Sequence, residues 1–276
     1  MILCCACASL HGVAQQPQSS IASPSSELTP LQREIEQQRR RLASSDAEER
    51  RDAVMRLGWM KRPESSRVAA IALNDPSEIV RATATSAVLS LPPDEAAVVL
   101  LPLLQDKKEF VRQEAAYALG QTRSRTAVNA LVTTLEKDKQ ASVRGAVAVA
   151  LGLIADEAAA ANLARTLDPR FAASGQSNQK GRRKKEDNEF VQRAAARALG
   201  QIRSRSAVPA LIAAMGNERA SDDVRREAAR SLGLIGDASA VPALRAALNA
   251  SDPYLSRIAY EALLKISQAD AIQPSS

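Results

Sequence analysis

The chain has 276 residues, 45% hydrophobic and 25% charged, the proportions of a globular protein with enough apolar material for a sizeable core. Its 37 Lys and Arg against 31 Asp and Glu leave a modest net charge of +6, and three Phe, three Tyr and one Trp offer few rings for stacking bases or sugars. The three cysteines (Cys4, Cys5, Cys7) and the single histidine (His11) all fall near the N-terminus, so the remaining chain has no disulfide framework, Cys/His metal site, thiol nucleophile or imidazole base.

The first fourteen residues, MILCCACASLHGVA, form an apolar run from Ile2 to Leu10 followed by the small residues Gly12 and Ala14, as a signal peptidase site requires. Residues 1–14 are therefore read as a secretory leader, and the mature protein as periplasmic or secreted. The alternative is a cytoplasmic protein that retains the leader, with its cysteines available to a soft metal. No other stretch approaches the roughly 18 uninterrupted apolar residues of a membrane span, so none is expected once the leader is removed. Residues 15–29, rich in Ser, Pro and Gln, have too little apolar content to offset the entropy of ordering and read as a tether.

Helical signals begin at once after the tether. Thr29, Pro30 and Gln32 mark a start, and Leu31, Ile35, Gln38 and Leu42 follow along one face. Ser45 and Glu48 are read as the capping box of a second helix that ends at Leu57-Gly58. The Leu-Gly position then recurs, sometimes degraded, at Val88, Leu119, Leu151, Leu199, Leu232 and Leu263, in steps of 31, 31, 32, 48, 33 and 31 residues. Self-similarity of this period signals a solenoid. Each unit resolves into two amphipathic helices: Val111, Ala115, Ala118 and Leu119 share one face, and Val128, Leu131, Val132 and Leu135 share another.

Thr126, Ser206 and Ser239 are expected to cap the second helices. Pro209 and Pro242 fit their first turns, and Pro102, lying deeper, implies a kink or a late start. The recurring glycines Gly58, Gly120, Gly152, Gly200 and Gly233 serve either as left-handed caps or as points of close helix approach. Clustered glycines after a strand, as a phosphate loop would need, are missing.

One pair of segments repeats closely. FVRQEAAYALGQTRSRTAVNAL from Phe110 and FVQRAAARALGQIRSRSAVPAL from Phe190 share 15 of 22 residues, 80 positions apart. Two 32-residue units and 16 extra residues account for that distance, which makes the copies structural bricks displaced by an insertion rather than a duplicated catalytic site. The insertion, DPRFAASGQSNQKGRRKKED over residues 168–187, is expected to be a loop joining two units. The expected domain organisation is a solenoid over residues 30–270, interrupted by that loop, with a disordered tail at 271–276.

These motifs, in EFVRQEAAYALG, FVQRAAARALG, DDVRREAARSLGLIGDASAVPALRAAL and ASVRGAVAVALGLIADEAAA, resemble the short HEAT-like repeats first noted in phycobilin lyases, over roughly residues 45–268. The resemblance implies an all-α fold, an α-solenoid of stacked antiparallel helix pairs of 31–33 residues, with second helices lining the concave side. Fold alone does not imply function. The units that depart from the pattern are the second, with Val88-Leu89, and the last, with Leu263-Leu264, where a terminal cap is expected.

Five repeat arginines, Arg81, Arg112, Arg144, Arg193 and Arg225, read as a ladder of polar contacts between units rather than as a ligand row. Candidate binding residues are those that break the period: Arg182, Arg183, Lys184 and Lys185 of the basic insertion, and Arg123, Arg125, Arg203 and Arg205 in two turns sharing one rim. No catalytic residue, metal site or cofactor is assigned. The resulting expectation is a non-enzymatic, exported scaffold whose partner is a protein with an acidic or extended surface. The alternatives are a bilin lyase-like protein that loads a chromophore, which only the repeat type supports, and a nucleic-acid-binding solenoid, which export argues against.

Overall fold

A computed structural model describes residues 28–168 and 181–272, and these are helices joined by short turns, with no strand among them. In chain order the helices are α1 (Pro30–Arg41), α2 (Ala47–Trp59), α3 (Pro63–Ala69), α4 (Glu78–Ala87), α5 (Pro93–Leu100), α6 (Glu109–Thr122) and α7 (Val128–Lys137). They continue as α8 (Ala141–Ile154), α9 (Ala160–Thr166), α10 (Gly181–Ile202), α11 (Val208–Gly216), α12 (Asp222–Ile235), α13 (Val241–Ala247) and α14 (Pro253–Ile272). The even-numbered helices from α2 to α14 are the first helices of successive units, each packed on the next. Helices α3, α5, α7, α9, α11 and α13 are the second helices, and α1 packs on α2 and α3 as the last half of a preceding unit would. The expected all-α solenoid is the fold.

Local chemistry sets the helix ends. The Thr29–Gln32 capping box closes in both directions, with Gln32 N–H donating to Thr29 Oγ1 (3.2 Å) and Thr29 N–H to Gln32 Oε1 (2.8 Å). Helix α2 is capped by Asp46, which accepts the Glu48 N–H at 3.0 Å, and not by Ser45. The second helices from α7 onward are entered through 3₁₀ turns, which moves their capping residues upstream of Thr126 and Ser239. Ser124 accepts from Thr126 N–H, Asp156 from Ala158 N–H and Asp237 from Ser239 N–H. Ser204, not Ser206, holds the equivalent position. Pro209 and Pro242 lie in the first turns of α11 and α13, while Pro102 starts a 3₁₀ segment, Leu101–Gln105, after α5 stops.

One continuous core runs between the two layers. Leu57, Leu119, Leu151, Leu199 and Leu232 of the first helices and Leu131, Leu163, Leu211 and Leu244 of the second are fully buried. Each contributes about 1.5–3 kcal/mol relative to leaving it exposed.

The recurring glycines lie inside helices and permit close approach. A Cβ on Gly120 would stand 2.6 Å from the Ala150 Cα, one on Gly152 2.9 Å from Ala198, one on Gly200 2.9 Å from Ser231 and one on Gly233 2.8 Å from Ala262. The first helices thus meet at backbone distance, whereas second helices contact one another far less. The first helices form the closely packed layer and the second helices the looser one. Where the motif is degraded to Val88-Leu89, helix α4 ends early, at Ala87.

Along the edge where each second helix turns into the next first helix, Arg81, Arg112 and Arg144 of the five expected arginines form a ladder, which Arg50, not among the five, begins one unit earlier. Arg50 donates from Nε and Nη2 to both Asp75 oxygens (2.7 and 2.8 Å), Arg81 to Asp106 (2.7 and 3.0 Å) and Arg112 to Asp138 (2.7 and 3.1 Å). Each aspartate also accepts the N–H two residues on, which turns the chain into the following first helix. The next arginine then takes that aspartate's carbonyl: Arg81 reaches Asp75 O at 2.7 Å, Arg112 reaches Asp106 O at 2.9 Å and Arg144 reaches Asp138 O at 2.9 Å.

Two rungs depart from the sequence reading. At Gln192, whose arginine is missing, the amide reaches Leu167 O at 3.5 Å, and Arg193 pairs with Asp223 on the open face instead. In α12 it is Arg226, not Arg225, that forks onto Asp252 (2.7 and 2.9 Å); Arg225 bonds Met215 O.

Replacing Gly120 by Ala is expected to destabilise the fold by about 1–3 kcal/mol in urea titrations, because the overpacked backbone has nowhere to move. Gly216→Ala, where a Cβ meets nothing within 4 Å, is expected to be neutral or stabilising by up to about 1 kcal/mol.

Burial alone would raise the Asp75 and Asp106 carboxyls, but the forked arginines and turn N–H groups outweigh it and hold both below the usual carboxylate value. For Asp252 the Arg226 fork is the leading cause of the same direction. Groups lowered on folding stabilise the protein above the unfolded carboxylate pKa of about 3.9 and cease to do so as pH falls through the lowered values. Urea midpoints are thus expected to hold from neutral pH to about 5 and to drop below about 4, with a shallower drop in Asp106→Asn.

Candidate functional site on the first-helix face

The register that buries the repeat leucine leaves other first-helix positions facing out. Nine positions before the repeat-leucine position, each next to a buried aliphatic residue (Val80, Val111, Val191 and Leu255), stand Ile79, Phe110, Phe190 and Tyr254, all exposed. Trp59, 70% exposed, and Tyr117 lie on the same face two residues after and two before their leucines. Five of the seven aromatic residues in the chain therefore gather on one face of a fold that otherwise closes its core with Ala, Val and Leu.

Two of these outward residues rest on the preceding first helix, and a third shares a cavity with it. The Phe190 ring lies against Gly145, where a Cβ would come within 2.0 Å of it. Tyr254 lies under the Arg226 guanidinium, 5.0 Å from its ring centroid. Phe110 shares a cavity wall with Ala82.

Two halves of the face differ chemically. Across α10, α12 and α14 it is ionic: Arg193 pairs with Asp223 (3.3 Å), Arg197 and Arg230 flank Glu227 (3.7 and 2.8 Å), and Arg257 meets Glu261 (3.7 Å). Across α2, α4 and α6 it is apolar and opens a cavity of about 600 Å³. Its walls include Arg51, Met55 and Trp59 of α2, Ile79 and Thr83 of α4, and Phe110 and Glu114 of α6. Arg51 is bound to Glu48 at 3.0 Å. Burial pushes the Glu114 carboxyl above its usual value, and no cation or hydrogen-bond donor answers it among the described residues. No group of three or more His, Cys, Asp or Glu able to hold a metal occurs among the described residues.

The sequence-selected residues lie elsewhere. Arg123, Arg125, Arg203 and Arg205 line the opposite edge, where first helices turn into second helices. Arg123 and Arg203 end α6 and α10 in the left-handed conformation. Arg125 meets Asp156 (3.4 Å) and Arg205 meets Asp237 (4.0 Å), acids supplied by the next turns. Between the two Arg pairs, Glu157 accepts from Ser204 and Ser206, so that this rim alternates in sign. The backbone of Arg182, Arg183, Lys184 and Lys185 forms the start of α10, which shortens the expected loop by residues 181–187. Their side chains, residues 169–180 and the leader lie outside the described part. The aromatic face was missed because each ring was counted against the whole chain and not against its place in the repeat.

The HEAT-repeat family model matches residues 36–118, 97–172 and 218–274, more than half of the chain. The chain belongs to the HEAT-repeat family. The PBS lyase HEAT-like repeat model also matches, at residues 191–217. No curated protein matches the chain.

Among solved structures, this HEAT-repeat protein is similar to the complex of CpcE and CpcF of phycocyanin lyase from Nostoc sp. PCC7120, at 23% identity and a TM-score of 0.49, covering 95% of this chain and 98% of that one. An engineered protein is similar at 22% identity and a TM-score of 0.51, covering 84% and 68%. Human deoxyhypusine hydroxylase is similar at 18% identity and a TM-score of 0.40, covering 86% and 96%. Likeness at this level concerns the fold.

Because Trp59 is the only tryptophan, its emission reports on the cavity mouth. The free protein is expected to show red-shifted fluorescence that iodide and acrylamide quench readily; a blue-shifted, protected emission would contradict the open face.

Proposed function

We propose that the protein is a non-enzymatic interaction scaffold, exported by its N-terminal leader, whose first-helix face receives a segment of another protein. The observation that carries this reading is the exposed Trp59 at a cavity walled by Phe110, Ile79 and Met55, in a chain with few aromatic residues. Solvent-facing aromatics cost solubility, and rings are the residues that dominate the centres of protein interfaces. The ionic half of the same face supplies the polar surroundings that fix the register of a long contact. Arg123 and Arg203, which have no ion pair among the described residues, are left to meet an acidic portion of the partner at the rim.

A photoreactive amino acid placed at position 110 is expected to cross-link one protein in native extracts. The same group at Val98, still more exposed but on the second-helix layer, is expected to yield none. Equal cross-linking from both positions, or none from either, contradicts the assignment. Export is checked separately by the N-terminal residue of the protein from the cell envelope, expected just after Ala14.

A further inference from the structure

The cavity between α2, α4 and α6 differs from the rest of the first-helix face in one respect: its carboxylate has no partner among the described residues. Elsewhere on that face the acids Asp223, Glu227 and Glu261 each hold an arginine within 4 Å, and at the cavity's edge Glu48 neutralises Arg51. Glu114 is half-buried beside Phe110, one turn along α6, with neither ion pair nor hydrogen bond among the described residues. A desolvated carboxylate without a counter-charge is costly, and its burial is relieved when a cation arrives. The other walls also favour a cation with an apolar stem: Trp59 and Phe110 supply aromatic surface, and Met55 and Ile79 supply aliphatic surface.

Resting on the reading of this face as a protein-binding surface, we propose that the cavity takes an arginine or lysine side chain of the partner, its charge set on Glu114 and its stem and apolar neighbours laid against Trp59 and Phe110. The Arg51–Glu48 pair then leaves the pocket with one net negative charge to satisfy. The segment presented is basic and apolar at this end of the face. It is distinct from any acidic stretch that meets the turn arginines.

The probes are blocked peptides of sequence Gly-Ser-Leu-Arg-Leu-Ser-Gly, with norleucine, citrulline or glutamate replacing the central arginine in three companions, titrated against the full mature chain by Trp59 fluorescence. The arginine peptide is expected to bind at least about tenfold more tightly than the norleucine and citrulline peptides. Glu114→Gln should remove most of that difference at an unchanged urea midpoint, and Glu114→Lys should reverse it in favour of the glutamate peptide. Equal binding of arginine and norleucine peptides, an arginine preference that survives Glu114→Gln, or no peptide response at all overturns the inference. The cross-link from position 110 separates this failure from the broader one. If it persists in Glu114→Gln alongside indifferent peptides, the scaffold stands and the charge assignment falls; if it is lost in the unaltered chain, both fall.

Discussion

The forked bond from a first-helix arginine to the aspartate that opens the next unit, about 25 residues on, ties neighbouring hairpins to each other at their turns. That aspartate has three tasks at once: it takes the guanidinium, it accepts the N–H that starts the next helix, and it lends its carbonyl to the next arginine. A residue so used fixes the position of one hairpin relative to the next as well as its own turn. Charge-assisted bonds that are geometrically paired and shielded from water resist screening better than surface ion pairs. The ladder is therefore an alignment device as much as a source of stability. Its gap at Gln192 falls directly after the unit junction that carries the insertion.

With the turns aligned, glycine and alanine let the first helices touch. The same spacing that makes Gly120 meet Ala150 and Gly200 meet Ser231 sets the pitch at which Ile79, Phe110, Phe190 and Tyr254 repeat along the open face. Scaffold and surface are thus one construction. The periodic residues hold the helices at a fixed distance, and the residues beside them vary to make an apolar pocket at one end and an arginine network at the other. Fold and function separate by position within the repeat.

Much of this was legible in the sequence because the relevant physics is local or periodic. The recurrence of the Leu-Gly position set the unit length, apolar spacing within a unit set the helix pairs, and Arg81, Arg112 and Arg144 stood out as ladder donors. The aspartate acceptors were harder to see, since Asp75, Asp106 and Asp138 lie one unit-end away and look like ordinary turn residues until the hairpins are stacked. Arg226 displaced Arg225 because the acceptor Asp252 also sits one place later in its turn. The glycines after the repeat leucine posed two readings that only packing decides: Gly120, Gly152, Gly200 and Gly233 take the close approach, and the left-handed position falls a few residues later, at Arg123, Ala155, Arg203 and Gly236. Which layer packs closely and what surrounds the carboxylate of Glu114 depend on how successive units stack, and no single-unit pattern encodes that.

The account stands on neighbouring units being coupled through the arginine–aspartate fork, and a double-mutant cycle across Arg81 and Asp106 measures that coupling directly. Arg81→Ala, Asp106→Ala and the double variant would be compared by urea unfolding at neutral pH. The account predicts an interaction free energy of about 1–3 kcal/mol, the double variant losing less than the sum of the single losses. Losses that add to within about 0.3 kcal/mol would show that the two side chains act independently, and the ladder would then be a surface decoration on a stack held by its leucines alone.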